Sequence, residues 1–254
     1  MAITIKSERE IELMAEAGKI LERVHNELEN ALRPGMSTKD IDTLGEEIIR
    51  SYGCIPSFLN YNGYPASICV SVNQEVVHGI PDKHRIIQEG DIVSLDAGVI
   101  YKGYHSDAAR THAVGEVSEE AKKLIQVTKE SFFEGIKFAK AGNHLFDISG
   151  AIGRYAEERG YGVVRDLCGH GIGTALHEAP EIPNYEVGRK GVRLRPGMTL
   201  AIEPMINIGT HEVDWLDDDW TVVTRDGSLS AHYENTILIT EGEPRILSLT
   251  CDNE

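Results

Sequence analysis

The chain has 254 residues, of which 41% are hydrophobic and 26% are charged, and this composition is ordinary for a globular protein of one large domain or two small ones. Its formal net charge of −16 argues against nucleic acid or an anionic membrane as the main partner. No apolar run approaches the roughly 18 residues of a membrane span, and no signal peptide is visible. The four cysteines form no CxxC pair, so we expect a reducing, cytoplasmic location.

Two helices are predicted at the start of the chain. Ser7 and Glu10 form a capping-box pattern, and apolar residues follow at helical spacing as far as Leu32. The segment 33–37 ends this helix, and a second helix is predicted from Ser37 to about residue 52, with Gly53 as its end signal. Four histidines are predicted to lie at the surface or in loops: His25, His84, His144 and His211.

Later segments alternate between strand and helix patterns. Strands are predicted near residues 66–73, 91–100, 103–114, 198–204, 220–224 and 232–240. Helices are predicted at residues 118–140 and at about 145–159. The order is therefore two helices followed by strands, and then the same order again.

A weak internal repeat accompanies this order. An offset of 107 positions (203 − 96) relates Asp96 to Glu203 and Gly90 to Gly197. It also relates Gly35, Asp40, Ile41 and Gly53 to Gly142, Asp147, Ile148 and Gly160. We therefore predict one α+β domain spanning residues 1–254, with two pseudo-symmetric halves at roughly 7–114 and 115–249.

Buried acidic residues are the most informative feature of the sequence. Asp96 stands inside the apolar run "DIVSLDAGVI", where strand propensity and the cost of burying a charge both disfavour an aspartate. If the halves face each other, Asp96 meets Glu203, while Asp107 and Glu234 lie on neighbouring strands. Four converging carboxylates repel one another, and two divalent cations would relieve that repulsion.

A histidine is the expected remaining ligand. His170 lies in "CGHGIG", where glycines allow close approach, although the pattern fits a glycine turn with an incidental histidine equally well. A set of oxygens with one nitrogen suits Mn, Fe, Co or Zn, and such ions would activate a water for hydrolysis. His78 and His177 are predicted in loops near strand ends, where catalytic side chains tend to lie. Cys168, two residues before His170, is interpreted as a small buried residue rather than a nucleophile.

Five segments carry a resemblance to a known family: "SICVSVNQEVVHGIP", "GDIVSLDAGVIYKGYHSDAART", "CGHGIGTALHEAP", "RPGMTLAIEPM" and "SAHYENTILIT". They resemble the methionine aminopeptidases, in the short bacterial type I form of the M24 family, over nearly the whole chain. The resemblance implies the pita-bread fold, in which an antiparallel sheet is covered by helices. It also implies two divalent ions, chosen from Co, Mn, Fe, Zn or Ni.

The resemblance implies a role for each matching residue. Asp96 and Asp107 would bind one metal, Glu234 would bridge together with Asp107, and His170 and Glu203 would complete the second metal. Glu203 would also shuttle a proton. His78 would contact the peptide around the scissile bond, and His177 would stabilise the developing oxyanion. The methionine pocket would be lined by Tyr61, Tyr64, Cys69 and Trp220.

Three features depart from the family pattern and affect the expected pocket. Leu176 and Phe58 stand where phenylalanine and cysteine are frequent, and "AHYENT" replaces "AQYEHT". The expected metal ligands are unaffected by these changes. Relatives that bind a monovalent cation do so near the segment matching "VNQE" and Ser230, so such a cation is also an expectation here.

The implied function is removal of the initiator methionine from nascent proteins whose second residue is small, and the chain's own Met1-Ala2 start fits this rule. Two alternatives remain: a prolidase-like enzyme acting on Xaa-Pro bonds, and a non-catalytic peptide-binding module. Prolidase relatives usually carry an additional N-terminal domain, whereas the repeat here begins within the first ten residues. Expected partners are N-terminal methionyl peptides and nascent chains, with no specific nucleic acid and no membrane, and a monomer is expected. A transient ribosome contact would use the basic residues Arg189, Lys190, Arg193 and Arg195.

Overall fold

The computed structural model describes residues 3–249, which form a mixed α+β fold. Met1, Ala2 and Cys251 lie outside this range. The described helices are α1 (Glu8–Ala31), α2 (Thr38–Ser51), α3 (Glu119–Ile136) and α4 (Leu145–Glu157), together with a 3₁₀ turn at Tyr61–Gly63. Within residues 3–249, none of the helices combines the length and the apolar composition that crossing a membrane requires.

The predicted helix starts are confirmed, and capping explains them. The Glu10 carboxylate accepts a hydrogen bond from the Ser7 N–H at 2.7 Å, and Asp40 accepts one from the Ser37 N–H at 2.8 Å. Each capping box satisfies groups that the first helical turn leaves unpaired. The predicted end of α3 at residue 140 is wrong: after Ile136 the chain forms i→i+3 turns, in which the Ala139 N–H bonds to the Ile136 oxygen at 3.0 Å.

Short strands make up the rest of the regular structure. They are β1 (Ile55–Pro56), β2 (Ile68–Val72), β3 (Glu75–Val77), β4 (Ile92–Tyr101), β5 (Tyr104–Ala113), β6 (Gly162–Val163), β7 (Gly169–Gly171), β8 (Glu178–Ile182), β9 (Thr199–Ile202), β10 (Met205–Asn207), β11 (Val213–Trp215), β12 (Val222–Thr224), β13 (Ser230–His232), β14 (Glu234–Leu238) and β15 (Arg245–Ile246). The strand predicted at 232–240 is divided at Tyr233, because β13 pairs with β10 whereas β14 pairs with β5 and β9.

A nine-stranded sheet carries most of these strands. Its order is β1-β4-β5-β14-β9-β7-β8, with β2 paired to β4 and β15 paired to β14. Two three-stranded sheets, β13-β10-β6 and β11-β12-β3, complete the described strands. Residues 213–224, which are rich in acidic residues, form the hairpin β11–β12, and β12 pairs with β3.

The four helices pack against one face of the large sheet. Val93, Leu95 and Ala97 of β4 are buried in one hydrophobic cluster with residues of α1 and α2. Leu200 and Ile202 of β9 are buried in a second cluster with residues of α3 and α4. Burying each of these valine, leucine and isoleucine side chains contributes about 1.5–3 kcal/mol. Because successive strand residues point to opposite faces, the alternate residues of these strands face away from the helices.

Candidate metal centre

Strand register places three of the acidic side chains on the face opposite the helices. Asp96 of β4 pairs with Ala109 of β5, and Glu234 of β14 pairs with the same Ala109 from the other side. Asp107 lies two residues before Ala109 on β5, so its side chain points in the same direction. Asp96 and Asp107 are therefore diagonal neighbours, a spacing at which side chains still interact.

The same period-two argument adds His170 and Glu203. His170 of β7 pairs with Ala201 of β9, and Glu203 follows two residues after Ala201. Ile202 pairs with Asn235, so Glu203 stands beside Glu234 on the shared face. Five residues from five different segments of the chain thus converge, because the side chain of each points to the same face of the sheet.

Potential ligand atoms of this group lie close enough together to bind a common metal ion. His170 Nε2 lies 3.7 Å from Glu203 Oε1 and 3.9 Å from Asp107 Oδ2. Asp107, His170 and Glu234 each offer a ligand atom, and these atoms lie within 4.8 Å of one another. His170 Nδ1 lies 2.9 Å from the Gly171 oxygen, to which its N–H donates, and this bond leaves the Nε2 lone pair directed at the carboxylates.

Burial makes these carboxylates costly to ionise without cations. Burial raises the pKa of Asp107 to about 8. The pKa of each of Asp96, Glu203 and Glu234 is raised well above its usual range, first by burial and then by neighbouring carboxylates. One buried oxygen on each of Asp96, Asp107 and Glu234 has no hydrogen-bond partner. Bound cations would pair with these buried oxygens and relieve the repulsion between them. These residues therefore fit a divalent-metal site.

The composition of the donor set also fits particular metals. Carboxylate oxygens with one imidazole nitrogen suit hard to borderline divalent ions, such as manganese, iron, cobalt, nickel and zinc. Cys69 lies opposite Asp96 on β2, and its burial raises the pKa of the thiol well above its usual value. A thiol that stays protonated is a poor metal ligand. The site is therefore an oxygen site rather than a thiolate site.

Two further histidines adjoin the carboxylates. His78 follows β3 with a φ of 58°, and burial, followed by the charge of His177, lowers its pKa to about 4. Burial also lowers the pKa of His177, whose ring centroid lies 4.1 Å from that of His170. Both side chains are therefore neutral at neutral pH and keep one N–H for hydrogen bonding.

A cavity of about 300 Å³ opens over these groups. Its lining contains all the predicted site residues: Asp96, Asp107, His170, Glu203, Glu234, His78, His177, Tyr61, Tyr64, Cys69 and Trp220. Its apolar side includes the Tyr64 ring, which Trp220 meets edge-on at a centroid distance of 5.1 Å. Phe58 and Leu176, two of the three departures noted in the sequence, line it too. Cys168 also lines the cavity and is only half-buried, so the prediction that it is buried is wrong.

One residue of the site was missed. His232 Nε2 lies 3.7 Å from Glu203 Oε2, and both ring nitrogens of this fully buried side chain have no hydrogen-bond partner. Burial, followed by the charges of His78 and Arg110, lowers the pKa of His232 to about 3. The one available signal was the departure "AHYENT", in which His232 replaces a glutamine.

Other sequence expectations fall outside the carboxylate cluster. The prediction that His25 is a surface residue is wrong: it is 4% exposed, and its Nε2 lies 2.8 Å from the Ala108 oxygen. Ser230 donates its backbone N–H to the Asn73 oxygen at 2.9 Å, so the two segments expected near a monovalent cation do meet. The basic residues Arg189, Lys190, Arg193 and Arg195 are exposed.

Known proteins are similar to this chain in both sequence and fold. The sequence pattern of Metallopeptidase family M24 matches residues 12–241. A methionine aminopeptidase of Clostridium acetobutylicum is 58% identical over 247 residues, which are 97% of this chain and 99% of that protein. The crystal structure of methionine aminopeptidase from Thermotoga maritima matches with a TM-score of 0.96 at 47% identity, covering 98% of this chain and 100% of that one. An Xaa-Pro dipeptidase from Bacillus anthracis matches with a TM-score of 0.78 at 28% identity, covering 97% of this chain and 62% of that one.

Proposed function

The chain belongs to metallopeptidase family M24 and has the pita-bread fold, and on that premise we propose that it is a metal-dependent methionyl aminopeptidase. Its substrates are nascent proteins whose N-terminal methionine precedes a small residue. One observation carries the proposal: His170 and four carboxylates, of which Asp96, Asp107 and Glu234 are buried, line a cavity that apolar and aromatic side chains also line.

The carboxylates and His170 are proposed to hold two divalent ions. Asp96 and Asp107 would hold one ion, His170 and Glu203 would hold the other, and Asp107 and Glu234 would offer oxygens to both. When bound, such a pair neutralises the carboxylates, polarises the peptide carbonyl and lowers the pKa of a water molecule. The support is the unpartnered oxygen on each of Asp96, Asp107 and Glu234, together with the raised pKa values of these groups.

The chain's own side chains move protons and orient the peptide. Because burial favours its protonated form, Glu203 is suited to take a proton from the attacking water and pass it to the leaving amine. His177, neutral at neutral pH, donates an N–H to the carbonyl oxygen as negative charge develops there. His78, which lines the same cavity, contacts the peptide beside the scissile bond.

The apolar wall is proposed to select methionine. Tyr61, Tyr64, Cys69 and Trp220 line it, and Tyr64 is fixed by a hydrogen bond that its hydroxyl donates to the Gly79 oxygen at 3.0 Å. A flexible thioether makes favourable contacts with such rings. With the bulk of Phe58 and Leu176 on the same side, we propose that side chains branched near the backbone fit less well than methionine.

The wider setting is also a proposal. The site would be shared by two halves of one domain, residues 7–114 and 115–249, since Asp96 and Asp107 come from the first and His170, Glu203 and Glu234 from the second. A monomer acting on nascent chains in the cytoplasm is proposed, with a transient ribosome contact through the exposed residues Arg189, Lys190, Arg193 and Arg195. A monovalent cation is proposed near Asn73 and Ser230, where the two segments meet.

The decisive test compares methionine release from Met-Ala-Ser and Met-Leu-Ser, with and without a chelator. We expect rapid release from the alanine peptide alone, loss of release in chelator and recovery with Mn²⁺ or Co²⁺. Chelator-insensitive release, or equal cleavage of both peptides, would contradict the proposal. Rapid hydrolysis of an Xaa-Pro dipeptide would indicate a prolidase instead. Absence of divalent-ion binding in a calorimetric titration would indicate a non-catalytic module.

A further inference from the structure

Tyr61 makes a direct contact with His177 that joins residues 116 positions apart in sequence. The Tyr61 hydroxyl oxygen lies 2.7 Å from His177 Nδ1. The two rings are tilted by 53° with centroids 5.2 Å apart, so they do not stack. On its other side the His177 ring meets the His170 ring edge-on, at a centroid distance of 4.1 Å. The imidazole is therefore held between a hydrogen bond and a ring contact.

The direction of this hydrogen bond follows from the chemistry of its two partners. A phenolic O–H is a stronger acid than the N–H of a neutral imidazole, and an imidazole nitrogen is a stronger base than a phenolic oxygen. The Tyr61 hydroxyl therefore donates its proton to Nδ1. A neutral imidazole that accepts at Nδ1 carries its hydrogen on Nε2.

The turn that carries Tyr61 is built to hold it in place. Asn60 and Asn62 flank it with φ values of 65° and 49°, in the left-handed region that asparagine tolerates better than most residues. Tyr61 itself makes two of the backbone hydrogen bonds of this turn: its N–H donates to the Phe58 oxygen at 2.8 Å, and its oxygen accepts from the Tyr64 N–H at 2.9 Å. Strained backbone of this kind persists where the surrounding contacts determine the position of a side chain.

We propose that Tyr61 is a positioning residue that fixes the Nε2–H tautomer and the orientation of His177. The hydroxyl acts through His177, which in turn contacts the substrate carbonyl, so this inference rests on the proposed function. The proposal gives the Tyr61 hydroxyl a specific role, whereas the Tyr61 ring alone would only line the pocket. A phenylalanine at position 61 keeps that wall and removes the bond.

A double-mutant cycle separates the two roles. We expect Tyr61→Phe to lower kcat for Met-Ala-Ser roughly tenfold with KM within about twofold, because a misplaced donor costs transition-state stabilisation rather than binding. His177→Ala should lower kcat more, by roughly a hundredfold. In the His177→Ala background the Tyr61→Phe change should alter kcat by less than about twofold. Equal effects of Tyr61→Phe in both backgrounds would overturn the proposal.

Nitrogen-15 spectra of histidine-labelled, metal-free protein provide a readout that does not depend on catalysis. Wild-type His177 should show one Nε2–H tautomer, and Tyr61→Phe should show a mixture; an unchanged tautomer would overturn the proposal even if kcat falls. If wild-type protein releases no methionine, the proposed function fails while this measurement still decides the hydrogen bond. Tyr52→Phe is the matched control, since its hydroxyl donates to Glu27 at 2.7 Å on the surface and its loss should leave kcat and the His177 signals unchanged.

Discussion

The guanidinium of Arg110 donates a hydrogen bond to the backbone carbonyl oxygen of Glu234, across the pairing of β5 with β14. The same group donates to Asn235 Oδ1 at 2.6 Å and lies 4.5 Å from the centroid of the Tyr233 ring. Arg110 lines a different cavity from the carboxylates, so it contacts the strand of Glu234 without entering the site. It therefore fixes Glu234 relative to Asp107 where the two parts of the sheet join.

Replacing Arg110 should weaken metal binding. We expect Arg110→Met to reduce Mn²⁺ affinity about tenfold, as loss of a group that orients a metal ligand typically does. The carbonyl left unpaired should also lower the free energy of unfolding by about 1–3 kcal/mol. Calorimetric titration and urea unfolding in chelator measure the two effects. Arg50→Met removes an exposed arginine bonded to Glu46 and serves as the control; a stability loss without a change in affinity would contradict the assigned role.

Asp107 and Asp96 should respond differently to loss of charge. Asp107→Asn removes an oxygen proposed to bridge both ions, so both binding events should weaken by at least about tenfold. Asp96→Asn should mainly weaken one of them. Calorimetric titration with Mn²⁺ under anaerobic conditions separates the two binding events. Identical titration curves for the two variants would rule out this division of the ligands.

The positions of the helices were predictable from local signals. Ser7 with Glu10 and Ser37 with Asp40 begin helices through contacts three residues apart, and both starts agree with the structure. The proximity of Asp96 to Glu203 was also predictable, because a buried acid in one strand recurred at a fixed offset. Such signals are short in range or periodic, so a single sequence contains them.

The remaining features depend on contacts between distant segments. Strands such as β7 have only three residues, too few for any periodic pattern. His25 was misassigned because its neighbours on α1 gave no indication that the Ala108 carbonyl lies over it. The Tyr61–His177 bond could not be inferred either, since its geometry depends on two left-handed residues and a separation of 116 positions.

The buried His25 should make stability sensitive to acid. Burial, followed by the charge of Arg110, lowers its pKa well below 6.5 in the folded chain. As pH falls below 6.5 the unfolded chain binds this proton before the folded chain does, so stability present above that pH is lost on acidification. The loss is at most about 1.4 kcal/mol per pH unit for one proton.

A His25→Gln variant isolates this effect. Glutamine can still donate an N–H to the Ala108 oxygen but does not titrate. We measure the free energy of unfolding of both proteins with urea in chelator. Between pH 7 and pH 5 the wild type should lose more of this free energy than the variant does. Other buried histidines contribute equally to both proteins and cancel in this difference. A difference that is constant with pH would show that His25 does not titrate as inferred.

The two tryptophans provide a matched pair for testing the methionine pocket. Trp220 lines the cavity and meets the His78 ring edge-on at a centroid distance of 6.3 Å, whereas Trp215 on β11 is 50% exposed. Trp220→Ala should lower kcat/KM for Met-Ala-Ser by about tenfold or more, mainly through KM, because an apolar wall worth 1.4 kcal/mol or more is lost. It should also reduce discrimination against a peptide that begins with phenylalanine. Trp215→Ala removes the same side chain from the same hairpin, so its kcat/KM should remain within about twofold of wild type. Equal losses in the two variants would assign the effect to the hairpin rather than to contact with the methionine side chain.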